Sequence, residues 1–256
     1  MAETSIHEPF KARLLRLVWT LSGKRPRLDE LFTGFLKYRK HLSEVEARDV
    51  IPKFEDSEVR IRQCPIGAWS TPLIDVFVLL KAAQGFGSER ILELGSFRGY
   101  TARLLAENTP PNTSITAVDI DPRHGAAYRG LPVEKKIIRK IGAITGELFT
   151  PEEEFDFIFV DANHDFQSAV NDTKVALDHL ADHGVVLWHD YHHRSYFHGM
   201  SGVPEALQLF ARERPIAALK GTTLALYSRF PGWETGKIQK TKSTGESVWD
   251  ENQLRG

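Results

Sequence analysis

The stretch Arg90–Asp121 reads RILELGSFRGYTARLLAENTPPNTSITAVDID. It opens on an apolar run, RILEL, passes through a turn with two glycines, continues as a helical pattern and closes on a second apolar run, SITAVD. Two short β-like runs joined by one helix make a βαβ unit, the building block of a parallel sheet. Gly95 lets the chain turn tightly after the first run. Gly99 removes a side chain where the helix begins, so a ligand can approach the backbone. Ser96, Tyr100 and Thr101 place hydroxyls beside that helix N-terminus, where a carboxylate or phosphate is favoured.

The alternation continues along the chain. Further strands are expected at Lys135–Ile141, Phe155–Asp161, Gly184–His189, Ile216–Leu219 and Thr222–Ser228. Helices are expected at Leu73–Ala83, near Gly125–Arg129, and at Asp165–Asp182 and Val203–Arg212. Ser70-Thr71-Pro72 reads as a helix start. Gly221 separates the last two strands, which form a hairpin and add one antiparallel strand. The expectation is an α/β fold: a doubly wound, seven-strand, mostly parallel sheet covered on both faces.

Around it lie two flanks. Residues 1–69 are expected to be a helical extension or lid. Phe10, Leu14, Leu15, Val18 and Leu21 fall at helical spacing among basic residues, and Leu31, Phe32, Phe35 and Leu36 form a second apolar face. Packing on the main domain or on a second copy, as in a homodimer, explains such helices. Residues 10–27 are also basic enough for a weak membrane-surface contact. Residues 70–230 form the main domain. Residues 231–256 read as a polar, flexible tail, with docking of Trp233 and Trp249 as the alternative.

Composition narrows the classes. A formal net charge of −1 and a pI of about 6.8 argue against a protein-wide nucleic-acid field. No run approaches the roughly 20 apolar residues of a membrane span. With a single cysteine, Cys64, and no signal-peptide pattern, a cytoplasmic location is expected.

Three ligand classes compete for the glycine turn. A phosphate loop needs GxxxxGK[ST], which is absent, and a dinucleotide turn needs a glycine where Phe97 stands. What remains is a ligand with a nucleoside and an amino-acid end. Glu93 and the turn would hold the amino acid. Asp119, at the end of the next strand, could accept hydrogen bonds from both ribose hydroxyls, or merely cap its own turn.

On these residues the sequence resembles a family. ELGSFRGYT followed by TAVDIDP is similar to the class I S-adenosylmethionine-dependent methyltransferases. More narrowly it resembles the catechol and caffeoyl-CoA O-methyltransferases and their cephalosporin- and macrolide-modifying relatives. The resemblance covers residues 70–228. It implies a Rossmann-like fold and S-adenosylmethionine as cofactor. Glu93, Gly95, Ser96, Gly99 and Tyr100 would hold its methionine end and Asp119 its ribose. Ile120 and the Gly142-Ala143-Ile144 segment would border the adenine. The relatives often carry Gly-Asp-Ala or Gly-Asp-Ser where this chain has Gly-Ala-Ile.

The remaining chemistry sits on two later strand exits, FVDANHDF and LWHDYHH. Parallel strands point one way, so Asp161, His164, His189 and Asp190 should gather beside the glycine turn. Two mechanisms use such a set. A divalent metal such as Mg²⁺ could bind Asp161, His189 and Asp190, with Asn163 as a further donor, and lower a hydroxyl pKa. Alternatively His164 or His189 acts as general base, with an aspartate such as Asp161 orienting it. FVDANH resembles the family's FIDGDH segment, in which the aspartate can ligate metal, cofactor binding also reaches this residue, and the histidine can be the base. HDY matches relatives without established metal dependence.

Seven of the ten histidines lie between 164 and 198. His179 and His183 read as structural, near a helix end. His192, His193 and His198 fall in an aromatic loop in which Arg194 and Tyr196 could touch an acceptor, and Trp69 could stack near the cofactor. The expected reaction is O-methylation of a small molecule or sugar. N-methylation, aminopropyl transfer and a non-catalytic cofactor-binding or scaffold role are the rivals.

Overall fold

The computed structural model describes residues 42–64, 70–191 and 202–233. Its elements in chain order are β1 (Ser43–Val45), α1 (Ala47–Val50), α2 (Leu73–Gly85), β2 (Arg90–Leu94), α3 (Tyr100–Asn108), β3 (Ser114–Asp119), β4 (Ile137–Ile141), β5 (Phe155–Val160), α4 (Phe166–Asp178), β6 (Leu180–Trp188), α5 (Val203–Phe210), β7 (Ala217–Leu219) and β8 (Ala225–Ser228). They form one sheet in the order β1-β7-β8-β6-β5-β2-β3-β4. Only β8 runs against its neighbours, β6 and β7.

The strand sequences explain the layering. Successive side chains point to opposite faces, and β2, β5 and β6 are apolar on both. Ile91, Phe157, Phe159, Val185 and Leu187 join one core with α2 and α3. Leu92, Leu94, Ile158, Val160, Val186 and Trp188 join the other with α4 and α5. Polar positions within this framework are tied down. Asp156 accepts hydrogen bonds from the backbone N–H groups of Glu89 and Arg90, at the start of β2. Lys136 donates its ammonium to the Ala106 and Thr109 carbonyls at the end of α3.

The structure corrects several boundaries. An eighth strand, β1, pairs parallel with β7 from within the segment expected to be a lid. Three residues, Ser-Glu-Val, are too short for a periodic signal. Lys81 of α2 fastens that segment by donating to the carbonyls of Phe54 and Ser57. The helix expected near Gly125–Arg129 is a set of turns instead. Gly125 and Gly130 have positive φ, and the Gly125 and Ala127 N–H groups bond the Phe97 and Arg98 carbonyls. α4 stops at Asp178 because the next residues pair with β5, Leu180 opposite Phe155.

Trp233, whose docking on the body was the alternative to a flexible tail, is buried in the α2/α3 core at 1% exposure. The domain therefore extends past residue 230. Replacing Trp233 with alanine should cost about 3–5 kcal/mol by denaturant unfolding; a loss within about 0.5 kcal/mol would mean the indole contributes nothing. The expected helices before residue 42, Trp69, the 192–201 loop and Trp249 lie outside the described residues.

Candidate functional site

Sheet order places the site. β2 has β3 and then β4 on one side, and β5 and then β6 on the other. The connections reverse direction here, and in open parallel sheets ligands bind beyond the strand ends at such a point. A cavity of about 1040 Å³ opens there. Ligand cavities commonly span ~300–1000 Å³, so this one has room for a cofactor and an acceptor together.

The glycine turn forms one wall. The N–H groups of Gly95 and Ser96 both donate to the Val118 carbonyl, which seats the turn on β3. Gly95 has φ +93°, and a Cβ there would lie 2.2 Å from the Asp161 carbonyl oxygen. Gly99 plays another part than expected. It is absent from the cavity lining. A Cβ on it would lie 2.5 Å from the Tyr128 ring, so packing against Tyr128, not ligand approach, requires glycine. Phe97 between them holds φ +45° without being glycine, a conformation that costs about 1–3 kcal/mol and recurs at binding loops.

Asp119 stands at the β3 exit and lines the cavity. Its two oxygens accept from the backbone N–H groups of Phe97 (2.6 Å) and Asp121 (2.9 Å), so it braces the glycine turn. Ile120, 73% exposed, lines the cavity with Gly142, Ala143 and Ile144. Ser96, Tyr100 and Thr101 line it too. Glu93 does not line it. It lies one residue back on the α2/α3 face of β2, almost fully buried. Burial, with a further push from the Asp161 charge against the pull of Ser96, raises its carboxyl to about 8. The Ser96 hydroxyl, at the cavity wall, is buried without an aligned hydrogen bond, as befits a place that receives a polar ligand group; Glu93 Oε2 is likewise unaligned but lies behind the wall.

The four residues of the strand exits do come together. Asp161 N bonds the Leu94 carbonyl and His189 N bonds the Val160 carbonyl, so the ladder itself sets the exits side by side. Nδ1 of His189 is hydrogen-bonded to Oδ1 of Asp161 at 3.0 Å and lies 3.4 Å from Oδ1 of Asp190. Nε2 of His164 lies 2.7 Å from Oδ2 of Asp190 and 3.6 Å from Oδ1 of Asp161. One ligand atom from each of the four falls within 4.8 Å of the others. Asp190 holds φ +62°, a second strained residue at the site.

The electrostatics follow from this pairing. Burial alone would lower His164, but Asp161 and Asp190 outweigh it and raise the ring to about 9. Burial likewise opposes the charged form of His189, yet Asp161, Asp75 and Asp190 hold it well above the usual imidazole range. Burial would raise Asp161 and Asp190; the two facing imidazoles hold both below the ordinary carboxylate range. The two histidines differ in access. His164 and Asp161 line the cavity, whereas His189 and Asp190 lie behind them.

Several residues escaped the sequence reading. Asp75 of α2 lies 3.3 Å from Nε2 of His189. Its signal was an acid in the first turn of an apolar helix. Thr71 donates to Asp161 at 3.3 Å. Asp172, on the cavity-lining side of α4, is pushed by burial up to about 7. Asn163, considered as a metal donor, lines the cavity, donates Nδ2 to the Ser168 hydroxyl and accepts from the Asp165 N–H through Oδ1 at 3.4 Å. His179 and His183 are structural, as expected: Nδ1 of His179 meets the Glu153 carbonyl, and His183 stacks on Phe230.

Comparison with known proteins agrees with this fold. Residues 92–191 match a family described as a methyltransferase domain, from β2 to just past the His189-Asp190 exit. No curated protein sequence matches the chain. A Podospora anserina methyltransferase bound to S-adenosylhomocysteine superposes with a TM-score of 0.55 at 19% identity, over 80% of this chain and 96% of that one. The O-methyltransferase TomG of Streptomyces achromogenes, in complex with S-adenosylmethionine, gives 0.51 at 19% identity over 80% and 99%. A putative caffeoyl-CoA O-methyltransferase from Staphylococcus aureus gives 0.52 at 12% identity over 86% and 99%. At these identities the structural likeness speaks to the fold. No helix among the described residues is long and apolar enough to cross a membrane.

Proposed function

We propose that this chain, whose residues 92–191 match a methyltransferase domain, uses S-adenosylmethionine to methylate a hydroxyl oxygen of a small molecule or sugar, with His164 taking the proton. The observation that carries the reading is the asymmetry of the two imidazoles: His164 lines the cavity while His189 is enclosed behind it. S-adenosylmethionine supplies a methyl group on a positively charged sulfur. A neutral alcohol is a poor nucleophile, so a base within reach of its proton matters far more than for a neutral amine. Attack must also be in line with the breaking carbon–sulfur bond, and the fixed cavity wall supports that alignment. Structural neighbours described as O-methyltransferases favour the same acceptor atom.

In this reading Gly95, Ser96 and Tyr100 receive the methionine end, with Glu93 beneath them and Gly99 shaping the turn. Asp119 takes the ribose, and Ile120 and Ala143 flank the adenine. A divalent cation also suits the cluster, because four donors converge and two of them are carboxylates. Held by Asp161, His189 and Asp190, it would lower the pKa of the acceptor hydroxyl and leave His164 free of its ion pairs. An imidazole ligand moves the preference from Mg²⁺ towards Zn²⁺, Mn²⁺, Fe²⁺ or Ni²⁺.

Calorimetric titration with S-adenosylhomocysteine, in EDTA and then with Mn²⁺, tests the cofactor half. Asp119→Ala should weaken binding at least about tenfold, since it removes a charged acceptor and frees the turn it braces. Wild-type affinity in that variant would remove Asp119 from the site. Transfer of labelled methyl to phenols, sugars and primary amines tests the acceptor half. Preference for amines, with His164→Gln fully active, would sink the oxygen assignment.

A further inference from the structure

Asp75 stands in the first turn of α2 at 0% exposure, among the buried apolar side chains of Val76, Val78, Leu79 and Leu80. A carboxyl buried without partners costs several kcal/mol, so its surroundings must account for it. Thr223, just before β8, donates its N–H to Oδ1 at 3.0 Å and its hydroxyl to Oδ2 at 2.6 Å. Oδ2 also lies 3.3 Å from Nε2 of His189. That nitrogen is buried and makes no aligned hydrogen bond to any group, so it and Asp75 meet as an ion pair. Thr223 thus donates to both oxygens of the carboxyl, and His189 faces Oδ2 as an ion-pair partner. An asparagine offers only one acceptor oxygen. A carboxylate suits the position on two counts: Thr223 uses both of its oxygens, and the His189 ring faces its charge.

We propose that Asp75 is a positioning residue for His189: its carboxylate, standing 3.3 Å behind Nε2, holds the ring so that Nδ1 faces Asp161 and Asp190 and is the nitrogen presented to a bound cation. A ligating histidine is commonly fixed in this way, with a carboxylate behind its other nitrogen. Two consequences follow. A neutral His189 carries its proton on Nε2 and its lone pair on Nδ1, inside the Asp161–His164–Asp190 cluster. The same clamp withholds Nε2 from the cavity and leaves His164 as the imidazole that meets an acceptor. The cation step rests on the function proposed above; the ring orientation does not.

The test uses the full chain labelled with ¹⁵N-histidine, read by long-range ¹H–¹⁵N NMR, together with calorimetric titration of Zn²⁺. In wild type, Zn²⁺ should remove the Nδ1 proton of His189 and leave Nε2–H in place. In Asp75→Asn the amide presents a donor to Nε2, so the ring should adopt the opposite tautomer and Zn²⁺ affinity should fall about 10–100-fold. Thr223→Val loosens the same carboxylate without changing its charge and should give a smaller loss of the same sign. It decides the matter if Asp75→Asn does not fold. Wild-type ring signals and wild-type Zn²⁺ affinity in the folded variants would overturn the proposal. If Zn²⁺ binds to none of the proteins, the cation reading fails on its own. The metal-free spectra then judge Asp75: a His189 Nε2 signal unmoved in Asp75→Asn would overturn its role.

Discussion

Gly95→Ala will lose S-adenosylhomocysteine binding by more than about tenfold and will unfold at a lower temperature than the parent. Two separate costs meet at this residue. Its φ of +93° is one that side-chain-bearing residues rarely adopt, and the added carbon would sit 2.2 Å from the Asp161 carbonyl oxygen. The obstacle is backbone throughout, the Asp161–Ala162 stretch. Ala162 Cα is 2.5 Å away as well, so no side chain can swing aside to relieve the contact. Relief must come from moving the glycine turn away from the β5 exit. That separates Ser96 from Asp161, the two walls a cofactor would span, and displacements of about 1 Å are enough to cost a hundredfold in a positioned site. Gly130→Ala is the control. Gly130 has φ +73° but nothing within 4 Å of an added Cβ, so it pays the conformational cost alone, about 1–2 kcal/mol. The difference between the two variants isolates the steric part. Equal losses of stability and full cofactor affinity in both would show that the turn tolerates displacement.

The same turn shows what a sequence can and cannot reveal. RILEL, SITAVD and FDFIFV were legible as strands because each is an apolar run buried on both faces, and β2 and β3 begin and end where the pattern does. The exits of β5 and β6 were legible as one site because parallel strands deliver their ends to one edge. Contacts made across the chain were not. Ser43–Val45 became a strand only because β7 offered it an edge. Trp233 lies in a polar run but finds the α2/α3 core. Gly99 carried a positional signal whose cause was misread, since the Tyr128 ring that excludes a side chain is 29 residues further along the chain. Asp75 is the clearest instance. An acid in the first turn of a helix is ordinarily a favourable partner for the helix dipole. Only the fold shows that Thr223 and His189, both more than a hundred residues away, are what it faces.

In EDTA, methyl transfer by the wild type should rise with pH to an inflection near 9, and His164→Gln should lose about 10²–10⁴-fold in rate and flatten that rise. The neighbours of His164 set the sign. Burial favours the neutral ring, but Asp161 and Asp190 prevail and bring it to about 9. Below that pH the ring holds its proton and cannot accept another, so at pH 7 only about one molecule in a hundred is ready to act as base. Asp190→Asn removes the acid 2.7 Å from Nε2 and should move the inflection down. Saturating Mn²⁺, which favours neutral rings in the cluster, should do the same. Stability runs the other way. The folded pKa of His164 lies above the unfolded value of about 6.5, so its contribution is complete below that pH and is lost as pH rises through about 9. Asp161 and Asp190 are depressed, and their share persists until pH falls below the ordinary carboxylate range. Denaturant midpoints should therefore fall between pH 7 and about 9.5 as the metal-free rate climbs, and His164→Gln should flatten the rate slope and lessen the stability slope, the rest of which belongs to His189. A midpoint that stays level while the rate rises would assign the rate inflection to some other group. The arrangement thus holds its base in reserve: the ion pairs that build the cluster are the ones that must be broken, by proton loss or by a cation, before His164 can take a proton from an acceptor.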